Sequence, residues 1–120
     1  MNFQKSYVYL IEDIDNGTYK IGRTKHDPIK RLKQLQTGNS TKLQLLKSFA
    51  TFYPCRLESL LHNRYQFCNV DYVNDFKKNS KSEWYYFNEE QINNFEKDCE
   101  ELDNMIEIMK DNPYFAKDLK

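Results

Sequence analysis

Apolar and polar positions alternate in the first part of the chain and later recur at helical spacing. Residues 6–14 and 18–24 alternate and are rich in Tyr, Val and Ile, which is typical of strands, and the Asp-Asn-Gly run between them predicts a tight hairpin turn. A third strand is predicted over residues 43–53 and a short fourth strand over residues 83–87. The pattern therefore predicts a small, mainly antiparallel sheet of three to four strands.

Helices are predicted to flank this sheet. Asp27 followed by Pro28 predicts the start of a first helix, which Gly38 ends. Pro54 opens a second helix. Residues 68–82 break the apolar pattern and are predicted to form a loop or an insertion with a short helical turn.

The end of the chain predicts one long helix over about residues 89–110. Asn88, followed three residues later by Gln91, resembles a capping box at its start. Its apolar residues recur at helical spacing and form a narrow seam, which consists of Ile92, Phe95, Cys99, Leu102, Ile106 and Met109. A seam of this kind packs either on the domain's own sheet or on a second copy of the chain, so a homodimer through this helix stays open.

Length and composition indicate one domain over residues 1–120, with a core at 6–88 and an α/β (α+β) fold. The three cysteines are widely spaced and include no Cys-x-x-Cys, which favours reduced thiols in a cytoplasmic or nuclear compartment over disulfides or a zinc site. No apolar run is long enough to span a bilayer, and the start of the chain lacks the apolar region of a signal peptide. We therefore expect no membrane association.

The zero net charge conceals a strongly basic middle and an acidic end. Residues 18–57 carry nine cations against one anion, whereas residues 83–120 carry four cations against eleven anions. A basic segment of this kind favours a polyanion such as nucleic acid as the partner.

Four short motifs stand in order along the first half of the chain: Tyr7-Val8-Tyr9, Lys20-Ile21-Gly22, Arg31-Leu32, and Glu58 with His62 four residues later. Together with Glu83-Trp84-x-x-Phe87 they resemble the GIY-YIG nuclease domain over roughly residues 6–88. The resemblance is closest to its meiotically-up-regulated-gene-type branch, which occurs in phages, large DNA viruses and bacteria.

The chain departs from the family pattern at three places. Lys20 stands where the second motif tyrosine is expected, and Tyr19 is predicted to face the other side of the strand. Leu35 stands where some members carry a histidine. The late asparagine of the family corresponds to either Asn69 or Asn88, and the sequence does not decide between them.

The resemblance implies a metal-dependent DNA endonuclease that uses one Mg²⁺ or Mn²⁺ ion. It implies that Glu58 holds the metal ion and that Tyr9 orients or deprotonates the attacking water. Lys20 would supply a cation near that phenol across the hairpin, and Arg31 would bind two phosphate oxygens through its planar guanidinium. The implied catalytic residues are therefore Tyr9, Lys20, Arg31 and Glu58.

Further side chains are predicted to contact DNA. His62 shares a helix face with Glu58 and is expected to steady that carboxylate, touch a phosphate or bind the metal ion. Two other functions stay open: a catalytically weak or inactive DNA-binding module on the same scaffold, and an interaction domain that dimerises through its last helix. The remaining predicted DNA contacts are Arg23, Lys25, Lys30, Lys33 and Arg56.

Overall fold

A computed structural model describes residues 4–78 and 81–116, although not the side chains of residues 115 and 116. Its centre is a four-stranded antiparallel sheet in the order β3-β1-β2-β4. Helices flank this sheet, so the predicted α+β fold class is confirmed. The strands are β1 (Ser6–Asp13), β2 (Thr18–Thr24), β3 (Leu43–Thr51) and β4 (Trp84–Tyr85).

The predicted helix signals act where the sequence places them. The Asp27 carboxylate accepts a hydrogen bond from the backbone N–H of Ile29 at 2.9 Å, and Asn88 and Gln91 form the predicted capping box. A 3-10 turn occupies Gln66–Cys68. The helices are α1 (Pro28–Thr37), α2 (Pro54–Arg64), α3 (Val70–Asn74), α4 (Glu89–Asn93), α5 (Phe95–Met109) and α6 (Pro113–Ala116).

Strand β4 is shorter than the predicted span of residues 83–87. Its two residues pair with Lys20 and Tyr19 of β2. The chain then leaves the sheet, because the backbone N–H of Tyr86 donates to the carbonyl of Cys68 at 2.9 Å instead of to β2. At the other end of β4, the last backbone hydrogen bond to β2 is donated by Ile21 N–H to the carbonyl of Glu83 at 3.1 Å, so in the described part of the chain no strand pairs with this edge of β2 from Gly22 onward.

The predicted single helix over residues 89–110 is wrong in one respect, because the helix is broken at Asn94. This residue caps the end of α4 and precedes α5, and asparagine favours helix ends over helix interiors. The predicted irregular stretch 68–82 also contains a real helix, α3, whose first backbone N–H groups are capped by the Asn69 side chain.

The core lies on both sides of the sheet. On one side, Val8, Leu10 and Ile21 contact α2 and α5, and the seam of the last helix packs here on the domain's own sheet from Ile92 to Ile106. This leaves Met105, Ile108 and Met109 exposed for any homodimer. On the other side, the core residues are Tyr9, Ile11 and Leu43, with Leu32 and Leu35 of α1 packed against them.

The cysteines differ in accessibility. All three are free thiols: Cys55 is exposed at the start of α2, Cys68 is half-buried, and Cys99 is fully buried in the core. Burial raises the pKa of Cys99 to about 12. Among the described residues, no helix has the length and apolar character needed to cross a bilayer.

Candidate active site

The hairpin brings Tyr9 directly over the Cα of Gly22. The two residues are partners in the β1–β2 register, and a Cβ atom at position 22 would lie only 2.4 Å from the Tyr9 hydroxyl oxygen. Lys20 shares the sheet face of Tyr9 and Gly22, because side chains two residues apart on a strand point the same way. Tyr19 packs on the opposite face, as predicted, and donates its hydroxyl to Glu12 at 3.2 Å.

Glu58 is a charged residue at a core position of α2. Its side chain is flanked by Leu57 and Leu61, and the residue is 5% exposed. Arg23 Nη1 donates to Oε2 of Glu58 at 2.5 Å, and His62 Nε2 lies 3.2 Å from Oε1. Burial raises the pKa of Glu58, but the hydrogen bonds from His62 and Arg23 outweigh it and leave that pKa below the usual value. The carboxylate is therefore ionised at neutral pH.

His62 has a partner on each ring nitrogen. Its Nδ1 is hydrogen-bonded to the hydroxyl of Tyr85, a buried residue of β4. Burial raises the pKa of Tyr85 to about 12, so the phenol keeps its proton at neutral pH. In either protonation state of the ring, Nε2 carries the hydrogen that points at Glu58. This arrangement orients the Glu58 carboxylate.

Glu83 is a site residue that the sequence reading missed. It directly precedes β4, and its carboxylate pairs with the Lys20 ammonium, which lies 5.8 Å from the centre of the Trp84 ring. The partner that the structure gives to Lys20 is therefore Glu83, whereas the sequence placed its ammonium beside Tyr9. Potential ligand atoms of Glu58, His62 and Glu83 lie within 4.8 Å of one another.

Two adjoining cavities share this group of charges. The first, which we call the tyrosine pocket, has a volume of about 240 Å³ and is lined by Tyr9, Gly22, Arg23, Arg31, Glu58 and Glu83. The second, the histidine pocket, has a volume of about 530 Å³ and contains His62 and Tyr85 in its wall. Arg23, Glu58 and Glu83 line both.

The open edge of β2 explains how these side chains meet. Tyr9 and Arg31 come from the α1 side of the sheet, while Glu58 comes from the α2 side. The segment of Glu83 and β4 pairs with β2 only as far as Ile21, and Gly22 has no side chain to fill the space. Three of the four predicted catalytic residues thus line one cavity. The fourth, Lys20, does not line it but forms an ion pair with Glu83, which does.

The other predicted DNA contacts lie in three places. Arg23 lies in the site itself, whereas Lys25, Lys30 and Lys33 are exposed around α1. Arg56 is half-buried in the first turn of α2. Their contacts with DNA stay predictions.

The two candidates for the late asparagine also separate. Asn69 is buried, lines the histidine pocket and donates its side-chain amide to the carbonyl of Ser82 at 2.6 Å. Asn88 is exposed and caps α4. Asn69 is therefore the candidate that reaches the site.

A family model matches residues 6–106 of this chain, and the matched class is a GIY-YIG-like or HNH-type domain associated with nucleases in phages and bacteria. The family is that of the T5orf172 domain, and the chain belongs to it. Neither the comparison with curated proteins nor that with solved structures gave a match. The narrower resemblance to the meiotically-up-regulated-gene-type branch stays a prediction.

Proposed function

We propose that this protein is a metal-dependent endonuclease that hydrolyses phosphodiester bonds in DNA. Membership of the T5orf172 family supports a nuclease-like, DNA-binding role. The observation that carries the finer proposal is the convergence of Tyr9, Arg31 and Glu58 on the tyrosine pocket. Its volume of about 240 Å³ accommodates a phosphodiester group and a water molecule.

In this proposal the phosphate is bound by arginine. The Arg31 guanidinium meets two phosphate oxygens at once, which fixes the phosphorus atom and offsets the charge that develops during hydrolysis. Arg31 is partly exposed and bonds to Gln34 on its own helix at 3.3 Å, a contact that a phosphate readily replaces. Tyr9 accepts a hydrogen bond from the attacking water and directs it at the phosphorus.

The acidic residues suit a hard divalent cation. Mg²⁺ and Mn²⁺ prefer carboxylate oxygens and keep several water ligands, so Glu58 and Glu83 would together hold such an ion. When bound, the ion supplies positive charge at the phosphoryl oxygens and acidifies a water ligand.

The neighbours of Glu58 then have distinct tasks. His62 presents an N–H group to Glu58, so it acts as a support for that carboxylate and not as a third ligand. Arg23 occupies Oε2 of Glu58, so Arg23 and a divalent ion compete for the same oxygen.

Cleavage of plasmid DNA with Mg²⁺, with Mn²⁺ and with a chelator tests the proposal. We expect Glu58→Gln to lower the cleavage rate by about 10³-fold, because it removes a charged oxygen ligand while keeping the shape of the side chain. Glu100→Gln, an exposed change on α5, is the matched control and should cut like the wild type. Equal cutting by wild type and Glu58→Gln, or a wild type that never cuts DNA, would refute the assignment.

A DNA-binding module without catalytic activity is the second candidate. It is favoured by Lys20, which replaces the motif tyrosine and is paired with Glu83. Tight DNA binding in chelator that is unchanged in Glu58→Gln, with no cleavage under any metal condition, would select this function.

A further inference from the structure

Two exposed phenylalanine rings, a half-buried tyrosine ring and two ammonium groups border the histidine pocket. We define the aromatic ledge as Phe67, Tyr72, Phe76, Lys77 and Lys81. We propose that this ledge binds an unpaired strand of DNA and so directs the enzyme to substrates with single-stranded segments. The inference rests on the proposed function, because it names the form of DNA that the same site would take.

The rings of the ledge are not used by the core. Phe67 is 66% exposed and Phe76 is 68% exposed, although both are large apolar residues. Phe67 contacts Tyr72 edge to face, with ring centres 5.3 Å apart. Clustered exposed apolar side chains usually mark a binding surface, because leaving them in water has a cost that a partner removes.

Ammonium groups lie over these rings. Lys77 Nζ is 5.9 Å from the centre of the Phe76 ring, and Lys81 Nζ is 5.6 Å from that of Tyr72. Lys81 also donates to the backbone carbonyl of Phe76 at 3.3 Å, so one ammonium group contacts both Tyr72 and the backbone of Phe76. Lys78 differs, because it is paired with Asp71 at 3.3 Å.

Rings alternating with cations match the chemistry of a single strand. Unpaired bases stack on aromatic side chains, and the phosphates between them attract lysines. A duplex hides the base faces, so it gains only from the lysines. A second copy of the ledge would bring its own lysines against these, so like charges disfavour self-association.

The ledge is continuous with the proposed catalytic centre. Tyr72 and Lys81 line the histidine pocket together with Glu58, which also lines the tyrosine pocket. A strand with one phosphate in the tyrosine pocket therefore has a path through the histidine pocket onto the ledge. The expected substrates are forks, flaps and bubbles, in which an unpaired segment adjoins the cleaved bond.

The first test measures binding in chelator, where no cleavage occurs. A labelled oligonucleotide is titrated by fluorescence anisotropy as a single strand, as a blunt duplex and as a duplex with a flap. We expect the double variant Phe67→Ala with Phe76→Ala to bind the single strand and the flap about tenfold more weakly or worse. Binding of the blunt duplex should change by less than about twofold.

Phe52→Ala is the matched control for this pair. Phe52 is 52% exposed and has Lys5 Nζ 5.0 Å from its ring centre, so it has the same chemistry as the ledge. It follows β3, at the opposite edge of the sheet from β4. Its variant should bind every probe like the wild type, and thermal unfolding of all variants confirms that they fold.

The lysines give a second, independent readout. Lys77→Gln and Lys81→Gln should each reduce the slope of log affinity for the single strand against log salt by about 0.7. Lys78→Gln should reduce it less, because Asp71 already neutralises that ammonium.

Three results would refute single-strand binding by the ledge. The first is normal single-strand binding by the double phenylalanine variant, and the second is an equal loss of affinity for duplex and single strand. The third is a wild-type dimer in sedimentation velocity that this variant converts to a monomer. Failure of the proposed function gives a different result. If the wild type cuts no DNA, but the double phenylalanine variant binds the single strand more weakly than the wild type, the endonuclease proposal is refuted and the proposed role of the ledge in binding is retained.

Discussion

Helices α2 and α5 pack side by side on the same face of the sheet, yet they use their buried positions differently. The fully buried residues of α5 are Phe95, Cys99, Leu102 and Ile106, none of which carries a charge. Helix α2 buries Leu57 and Leu61 in the same core, but it also buries the carboxylate of Glu58. Helix α5 therefore buries only uncharged side chains, while α2 buries a charged group together with apolar ones.

The difference matters because a buried charge has a cost. Removing an ion from water costs several kcal/mol, and a well-packed apolar residue at such a position is often neutral or stabilising in comparison. Arg23 and His62 offset this cost for Glu58, and Tyr85 in turn fixes His62. Three further residues thus support one buried carboxylate, whereas the buried positions of α5 hold no charge that needs such support. This difference is consistent with the proposed function, in which α2 carries the catalytic carboxylate.

Shortening a side chain of α5 should produce the largest effect. Leu102→Ala removes a buried group beside α2 and leaves a cavity, so we expect the free energy of unfolding to fall by about 3 kcal/mol. Urea unfolding measures this loss. Cleavage per folded molecule should stay at the wild-type level under conditions where the variant is folded. A specific loss of activity in the folded variant would contradict the division of tasks between the two helices.

Adding one methyl group at the site should produce the next largest effect. Gly22→Ala would place a Cβ atom 2.4 Å from the Tyr9 hydroxyl oxygen, so the rigid ring must move. We expect the cleavage rate to fall by about 10²-fold, because small displacements of positioned groups have effects of this size. Gly38→Ala is the control, since nothing lies within 4 Å of a Cβ atom there. Equal rates for the two variants would show that the position of Tyr9 is unimportant.

Removing the support of His62 should have a smaller effect. Tyr85→Phe deletes the hydroxyl bonded to Nδ1 and leaves the ring in the core, so the imidazole loses its fixed orientation. We expect the Mn²⁺ concentration for half-maximal cleavage to rise about tenfold. Tyr86→Phe, which removes an exposed hydroxyl bonded to Asn74, should leave it unchanged. An unaltered metal requirement in Tyr85→Phe would exclude a positioning role for Tyr85.

The smallest expected effect is on how the free energy of unfolding depends on pH. Because the folded pKa of Glu58 lies below its unfolded value, its contribution to stability is present above about pH 4.5 and is lost as pH falls through the folded pKa. Unfolding free energies between pH 7 and pH 3 should therefore fall less steeply in Glu58→Gln than in the wild type. Parallel curves for the two proteins would show that Arg23 and His62 do not stabilise the ionised carboxylate.

Local signals made most of the fold predictable. Asp27 with Pro28, Asn88 with Gln91 and the hairpin glycine each act through neighbouring backbone groups, so the sequence contains all the information required. The early end of β4 depends on a contact with a distant segment, and the break at Asn94 is concealed by the regular apolar pattern around it. The apolar seam runs through Asn94 without interruption, and no local pattern shows that Tyr86 bonds to Cys68.

Only the site residues that belong to sequence motifs could be predicted. Tyr9, Arg31 and Glu58 belong to motifs with recognisable spacing, and they do line one cavity. Glu83 enters the site through the pairing of β4 with β2, because the partner of Trp84 is Lys20. That register cannot be read from a two-residue strand, and Tyr85 resembles an ordinary core aromatic until its hydroxyl is placed beside His62.

Because Cys55 is exposed and Cys99 is buried, thiol labelling of this chain can report local unfolding of the core. A thiol-reactive dye should label the exposed Cys55 at once. Because Cys55 lies three residues before Glu58 on α2, the dye would report from beside the proposed catalytic centre. Cys99 is shielded by the core and poorly ionised, so it reacts only when α5 detaches from the sheet. The rate of its modification therefore measures how often the molecule opens under native conditions.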